Sequence, residues 1–385
     1  MTRRPLHHAL AVTPPGVEEL TAAELRALGV RVRRAFRGGV EFSASDRELY
    51  AANLWCRTAT RIVVRVARFE AATFGDLERE LSGVDWARFV PDGATPTVRV
   101  SSTASRLYHT DAVAERVAAA AGTGPGTGPL VVVRAVHDRV MVSVDSSGPP
   151  LHQRGWHLER GHAPLRETLA AAALLASGWP PGAPLVDPFC GSGTIAVEAA
   201  LMAAGRPPGE GRRFGFEDWP SFAPGTWAAV KAAPAPPPAP APDGTPVSAS
   251  DRDAAAVAAA RANAARAGVS GGVRFSTLSL AQVAPVGDGP GWVVTNPPYG
   301  KRAASDDVRR LYAHLGEVAR ARFAGWTVAV LVADERAARA AGLPFTARLR
   351  TVNGGIPVHL LVAPVRSANG PHRHRRRAGD GRPAD

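Results

Sequence analysis

The chain has 385 residues, 45% of them hydrophobic and 21% charged, with a formal net charge of +12. That is enough chain for two or three globular domains, and no apolar run approaches the roughly 18 residues of a membrane-crossing helix. The positive excess points toward nucleic acid, with a discount. Of the 46 basic residues 44 are arginine, Lys231 and Lys301 being the only lysines, and the stretch from Arg366 to Asp385 carries six arginines against two aspartates. The two cysteines, Cys56 and Cys190, sit in unlike contexts with no zinc-ligand spacing. They fit a reducing cytoplasm, no metal site is expected, and the first residues show no secretion signal.

In chain order, Ala9–Val12 is a short apolar run broken by Pro14-Pro15-Gly16. Val17–Leu28 spaces its apolar residues as an amphipathic helix, acidic in its first turn and stopped at Gly29. Val40–Phe42 reads as a strand, Asp46–Leu54 as a helix and Arg61–Phe69 as a strand. Thr97–Val100 follows as a strand, Thr110–Ala121 as a helix, and Leu130–Val133 with Arg139–Val144 as a strand pair. This is α+β patterning, expected as a subdomain over 1–68 and a second domain over 69–150.

A helix is expected over Ala163–Ser177. From Pro184 onward strands and helices alternate: Leu185-Val186, then Thr194–Ala204; Pro246–Ser250, then Ala254–Ala267; Val273–Phe275; Trp292–Thr295, then Val308–Arg322; and Thr327–Val332. The alternation predicts a doubly wound parallel sheet over 151–365, with ligands at the carboxyl ends of its strands. Two segments read as irregular: an Ala/Pro-rich insertion at 232–246, stiff but unable to form a core, and the Arg-rich tail at 366–385.

Asn296-Pro297-Pro298-Tyr299 closes the apolar run Trp292–Thr295. Two prolines remove two N–H donors. What remains at the strand end is acceptors, the Asn296 side-chain oxygen and the Pro297 carbonyl, beside the aromatic face of Tyr299. Such a pocket suits a planar exocyclic NH₂ group: two acceptors grip its hydrogens, a ring stacks on the base that carries it, and the nitrogen lone pair is freed for attack. The plain alternative is an Asn-Pro turn after a strand.

Asp187-Pro188-Phe189-Cys190-Gly191-Ser192-Gly193-Thr194 follows the first strand of this half and opens a helix. A phosphate-binding loop would need a lysine that is absent here. A nicotinamide site fits G-x-G-x-x-A but lacks an acid on a good second strand, since Glu217 and Asp218 lie in a poor one. S-adenosylmethionine fits better: Asp187 ends the first strand, Gly191 and Gly193 form the loop, and Asp251 closes the next strand to hold two ribose hydroxyls. Arg252 then covers the adenine. The alternative for Asp251 is a helix cap. A glycine loop, an acid at the second strand and Asn-Pro-Pro-Tyr at the fourth together indicate an N-methyltransferase.

With these residues in place, the chain resembles the THUMP-domain class I RNA methyltransferases, which make N2-methylguanine in ribosomal and transfer RNA. The similar blocks are Leu151–Trp156, Ala163–Ala170, Asp187–Ala200, Ser250–Asp253 and Asn296–Gly300, with weaker likeness at Gly16–Leu20 and Asn53–Thr58. The resemblance implies an α/β fold: a C-terminal Rossmann-like class I methyltransferase sheet preceded by an α+β ferredoxin-like and THUMP RNA-binding region. It implies structured RNA, rRNA or tRNA, as partner, without a membrane. On that analogy Asn296 and Pro297 hold guanine N2 of 23S rRNA or tRNA and Tyr299 stacks on the base. Asp187, Cys190, Gly191, Gly193, Thr194, Asp251 and Arg252 serve the cofactor. One departure is Ser279, four residues after Phe275, where such enzymes carry an acid facing the adenine amine. Arg99, Arg106 and Arg134 are candidates for the RNA path. The competing activities are methylation of DNA adenine N6 or cytosine N4, methylation of a protein glutamine amide, and a non-catalytic RNA-binding role.

Overall fold

The structure, a computed structural model, describes residues 6–159, 165–235, 247–287, 289–298 and 305–366. Tyr299, most of the Ala/Pro-rich insertion and nearly all of the Arg-rich tail lie outside the described residues.

The N-terminal half runs β1 (His7–Val12), α1 (Glu18–Ala27), β2 (Arg31–Phe36), β3 (Gly39–Ala44), α2 (Asp46–Trp55), β4 (Arg61–Glu70), α3 (Phe74–Ser82), β5 (Ala94–Thr103), α4 (Thr110–Ala121), β6 (Gly126–Val136) and β7 (Arg139–Asp145). All seven strands share one sheet, in the order β2-β3-β1-β4-β7-β6-β5. β4 pairs with β1 on one side and β7 on the other, both antiparallel. The boundary expected at 68/69 therefore falls inside a strand.

Local chemistry starts the helices. Ser45 and Glu48 form a reciprocal capping box at α2, and Thr73 with Asp76 does the same at α3. Leu25, Leu49, Leu77 and Val117, one from each helix, are buried in one core with Val64, Val131, Val142 and Val144. β2 and α3 are elements the sequence pattern did not foretell. β2, with sequence RVRRAF, has no fully buried residue because it lies at the sheet edge, so it shows no alternation of apolar residues.

The C-terminal half runs α5 (Glu167–Ser177), β8 (Leu185–Asp187), α6 (Thr194–Ala203), α7 (Pro224–Lys231), β9 (Val247–Asp251), α8 (Ala254–Arg266), β10 (Val273–Thr277), β11 (Trp292–Thr295), α9 (Ser305–Arg322), β12 (Thr327–Val332), α10 (Glu335–Ala338), β13 (Thr346–Asn353) and β14 (Ile356–Pro364). The strand order is β10-β9-β8-β11-β12-β14-β13. β14 is antiparallel to both β12 and β13. The sheet is thus mixed, not wholly parallel as its alternation suggested, because Gly354-Gly355 turns the last two strands back as a hairpin.

From β8 the chain steps outward through β9 to β10, then returns to the other flank of β8 as β11. This reversal opens a crevice at the carboxyl ends of β8 and β11. Among the described residues no helix is long and apolar enough to cross a membrane.

The halves interlock. Phe214, Phe216, Trp219 and Trp227 pack into the core of the N-terminal half. Phe216 stacks on Tyr50 with ring centroids 4.2 Å apart, and Trp227 stands edge-on to Phe214 at 5.6 Å. Each fully buried ring of this kind contributes roughly 1.5–3 kcal/mol through removal from water. The stretch read as a poor strand is a 3₁₀ turn over Gly215–Asp218. Nearby, Arg154 places Nε 3.3 Å from Glu198 Oε1 and donates from Nη2 to the Arg57 carbonyl at 2.7 Å. Arg57 in turn donates to the Arg206 carbonyl at 2.6 Å. Burial pushes the Glu198 carboxyl above the usual carboxylate range, and the Arg154 and Arg57 guanidiniums oppose that rise.

Candidate active site

Three strand ends converge at the crevice. β9 and β11 flank β8, all parallel. At the end of β8, Asp187 is 1% exposed, and its Oδ1 accepts from the Thr295 hydroxyl at 2.6 Å and the Phe189 N–H at 3.2 Å. Burial lifts its carboxyl to about 7, against the pull of those two donors, and the nearby Asp251 charge adds to the rise.

The loop after β8 is stitched to β9. The Cys190 N–H donates to the Ser250 carbonyl at 2.9 Å, and the Gly191 N–H donates to Asp251 Oδ2 at 3.0 Å. Gly191 and Gly193 both take positive φ, at 51° and 85°. At Gly193 a Cβ would stand 2.9 Å from the Ala260 Cβ of α8, so glycine permits close packing there. At Gly191 a Cβ would meet nothing within 4 Å, so this side of the loop faces open space. Cys190 is buried, and burial followed by the Asp187 charge pushes its thiol well up, which makes it an inert packing residue. Thr194 is buried as the first residue of α6.

Asp251 is the last residue of β9, one position further into the strand than the sequence suggested. The cap of α8 is Asp253, whose Oδ1 accepts from the Ala255 N–H at 2.8 Å. Asp251 Oδ1 accepts from the Asp253 N–H at 3.0 Å. Each carboxylate oxygen has spent one acceptor position and keeps another. Arg252 is exposed beside it. Ser279 is exposed and caps a 3₁₀ turn, donating from Oγ to Gln282 Oε1 at 2.9 Å.

At the end of β11, Asn296 presents a buried Oδ1 that accepts no hydrogen bond among the described residues. An unmatched buried acceptor costs about 1–3 kcal/mol. Pro297 is buried and Pro298 exposed.

Residues that the sequence did not single out support this constellation. His157 Nδ1 lies 2.8 Å from Glu167 Oε1 and Nε2 lies 3.0 Å from Ser192 Oγ, all three residues being buried. A carboxylate only accepts, so His157 donates from Nδ1, and in the neutral ring Nε2 then accepts from the serine hydroxyl. From the other side Asn263 Nδ2 donates to the Ser192 carbonyl at 3.0 Å. The glycine loop is thereby clamped by α5 and α8. Ser192 and Glu167 fall within the similar blocks and Thr295 directly precedes Asn296, whereas His157 and Asn263 carried no such signal.

Residues 154–361 match the family described as UPF0020, the RMKL-like methyltransferase domain, and residues 8–63 match the RlmL ferredoxin-like domain. The chain belongs to this methyltransferase family. It is an α/β protein whose residues 154–361 form the family's methyltransferase domain.

Curated relatives agree. The ribosomal RNA large subunit methyltransferase K/L of Marinobacter nauticus is 33% identical over 386 residues, covering 94% of this chain and 53% of the relative. That of Syntrophotalea carbinolica is 35% identical over 374 residues, covering 91% and 52%. The chain spans about half the length of the curated relatives it matches. Among solved structures, SMU.472, assigned as a methyltransferase and complexed with SAH, superposes with a TM-score of 0.85 at 29% identity, over 94% of this chain and 98% of that one.

Asp251 has two free acceptor positions and the Gly191 backbone borders open space; Gly191 follows β8, the neighbour of β11, and Asp251 ends β9, one strand further from the Asn296 oxygen, which is unmatched among the described residues. The residues fit S-adenosylmethionine.

Proposed function

We propose that this chain methylates an exocyclic amine of an RNA base, with guanine N2 of large-subunit ribosomal RNA as the favoured target. The observation that carries the reading is the buried Oδ1 of Asn296 at the end of β11, unmatched among the described residues. An acceptor left without a donor in that position suits a ligand N–H. The names of the curated relatives support ribosomal RNA as the substrate.

S-adenosylmethionine, when bound, supplies an electrophilic methyl carbon on a sulfonium sulfur. Asp251 holds the ribose hydroxyls, with Gly191 against the cofactor backbone. Asp187, fixed by Thr295, borders the same pocket, and Arg252 and Ser279 reach toward the adenine. Cys190, Gly193 and Thr194 shape the loop and the helix start beneath it.

Asn296 Oδ1 and the Pro297 carbonyl accept the two amine hydrogens and fix the nitrogen's orientation. Tyr299 stacks on the base turned out of its helix. With both N–H bonds held, the lone pair leaves conjugation with the ring and becomes available. No side chain acts as a strong base, because an alkylated, cationic amine gives its proton to water. Catalysis then rests on orientation and electrostatics.

The test is nucleoside mass spectrometry of ribosomal and transfer RNA from cells with and without the protein. Loss of N2-methylguanine from large-subunit ribosomal RNA on deletion is the expected result. An unchanged nucleoside profile would overturn the reading.

A further inference from the structure

The four helices of the N-terminal half bury their apolar residues in one core, against one face of the seven-stranded sheet. The opposite face carries no helix among the described residues. The strand register identifies what stands on it. One row across the sheet reads Arg68, Met141, Arg134, Ser101 on β4, β7, β6 and β5. The next row reads Arg65, Ser143, Val132, Arg99. Side chains alternate between faces, and the bulge between Arg65 and Ala67 on β4 adds one residue there, so these rows lie on the same side, roughly 6.6–6.8 Å apart along the strands.

Arg68, Arg99 and Arg134 are exposed, and none is ion-paired among the described residues. Arg65 pairs with Glu41 at 2.8 Å on the same face, which Arg34 also approaches, at 3.6 Å. Glu41, which also feels the Arg68 charge, and Glu70, paired with Arg139 at 3.4 Å on the same face, balance only part of the charge. Solvated cations this close together repel one another, and a chain of phosphates relieves that repulsion.

We infer that this open sheet face, centred on Arg68, Arg99 and Arg134, is the docking surface for the phosphate backbone of folded RNA. The inference rests on the RNA reading above and adds the place of contact. Arg106 is not part of the surface: it lies in the loop after β5 and its Nε stands 3.8 Å from Asp138. The surface reads charge and shape, not base identity, since backbone contacts position without specifying sequence.

The experiment uses the full chain and transcribed large-subunit ribosomal RNA, with binding measured across a salt series. The test variant is Arg68→Glu/Arg99→Glu/Arg134→Glu. The control is Arg26→Glu/Arg47→Glu/Arg79→Glu, which makes the same charge change on α1, α2 and α3. The test variant is expected to lose at least about tenfold in affinity at moderate salt and to flatten the log–log salt slope by about two to three. The control is expected to retain most of both. Calorimetry with SAH shows that each variant is folded, and wild-type RNA methylation is scored in parallel. Equal losses in the two variants, or an unchanged slope in the test variant, overturn the docking surface. If the wild-type chain methylates RNA while the test variant binds it normally, the surface falls and the activity stands. If the wild-type chain binds no RNA, both fall.

Discussion

The Thr295 hydroxyl donates to Asp187 Oδ1 at 2.6 Å, tying the end of β11 to the end of β8. The acid beside the cofactor loop and the residue preceding Asn296 thus share one buried hydrogen bond. Nothing that shifts one strand end leaves the other in place, so the two sides of the proposed reaction are held in a common frame. Thr295→Val should cost about 1–3 kcal/mol of stability, the scale of a buried polar group left unmatched. Chemical denaturation measures it, and an unchanged midpoint would show that the bond contributes nothing.

Asn296→Ala removes the acceptor left unmatched among the described residues and keeps the loop after β8 intact. Methyl transfer should fall by at least about a thousandfold, the scale of losing a group that orients the reacting atom. SAH affinity by calorimetry should stay within about twofold. Normal turnover would refute the amine-holding role.

Asp251→Ala removes the partner of two backbone N–H groups, at Gly191 and Asp253, together with the proposed ribose acceptors. SAH binding should weaken by about 1–3 kcal/mol, roughly five- to 150-fold. Calorimetry reads the loss directly, and an unchanged dissociation constant would remove Asp251 from the cofactor site.

Asp187 introduces a pH dependence. Its folded carboxyl titrates near 7 against an ordinary 3.8. Between those values the folded state binds the proton more tightly than the unfolded state, so this group's stabilisation is full below about 4 and is lost as pH rises toward 7. Asp187→Asn removes the ionisation while keeping an acceptor for Thr295. The stability of Asp187→Asn relative to wild type should therefore increase between pH 4 and pH 7 and level off above it. The total gain is roughly 4 kcal/mol at most. A flat difference across that window would show that the carboxyl titrates normally.

The Arg154–Glu198 pair, which also reaches the Arg57 carbonyl of the N-terminal half, offers a fifth test. Arg154→Met leaves a carboxylate buried with Arg57 alone, at 3.9 Å, and should cost about 3–5 kcal/mol. Arg154→Met/Glu198→Leu should recover much of that loss, because no uncompensated buried charge remains. A double variant no more stable than the single one would point to packing as the dominant contribution.

The central blocks were legible in the sequence because their chemistry is local. Asp187, the glycine loop, Asp251 and Asn296 each follow a short apolar run, and strand-end placement can be read from such runs one at a time. The clamp of His157, Glu167 and Ser192 was not legible. Its members are 10 and 35 residues apart, and each alone is an ordinary polar residue. The expectation of a helix cap resolved onto Asp253 instead of Asp251, a difference of two residues that only backbone geometry decides. β13 and β14 escaped because only the four-residue α10 precedes β13 and a Gly-Gly turn joins it to β14, so the strand–helix alternation stops there. Phe214–Trp227 looked like part of the C-terminal half, because sequence order says nothing about which core accepts an aromatic cluster.

That aromatic cluster bears on inheritance. A chain that threads Phe214 to Trp227 back into the core of a preceding unit cannot be traded as a cassette. Recombination at the junction near residue 150 would leave the N-terminal core missing four aromatic rings and the C-terminal half with those rings exposed to water. Such products would aggregate before they could be tested for activity. Descendants of this chain are therefore expected to vary the two halves together, and to tolerate insertions in the Ala/Pro-rich stretch after Lys231 far better than deletions reaching back into α7.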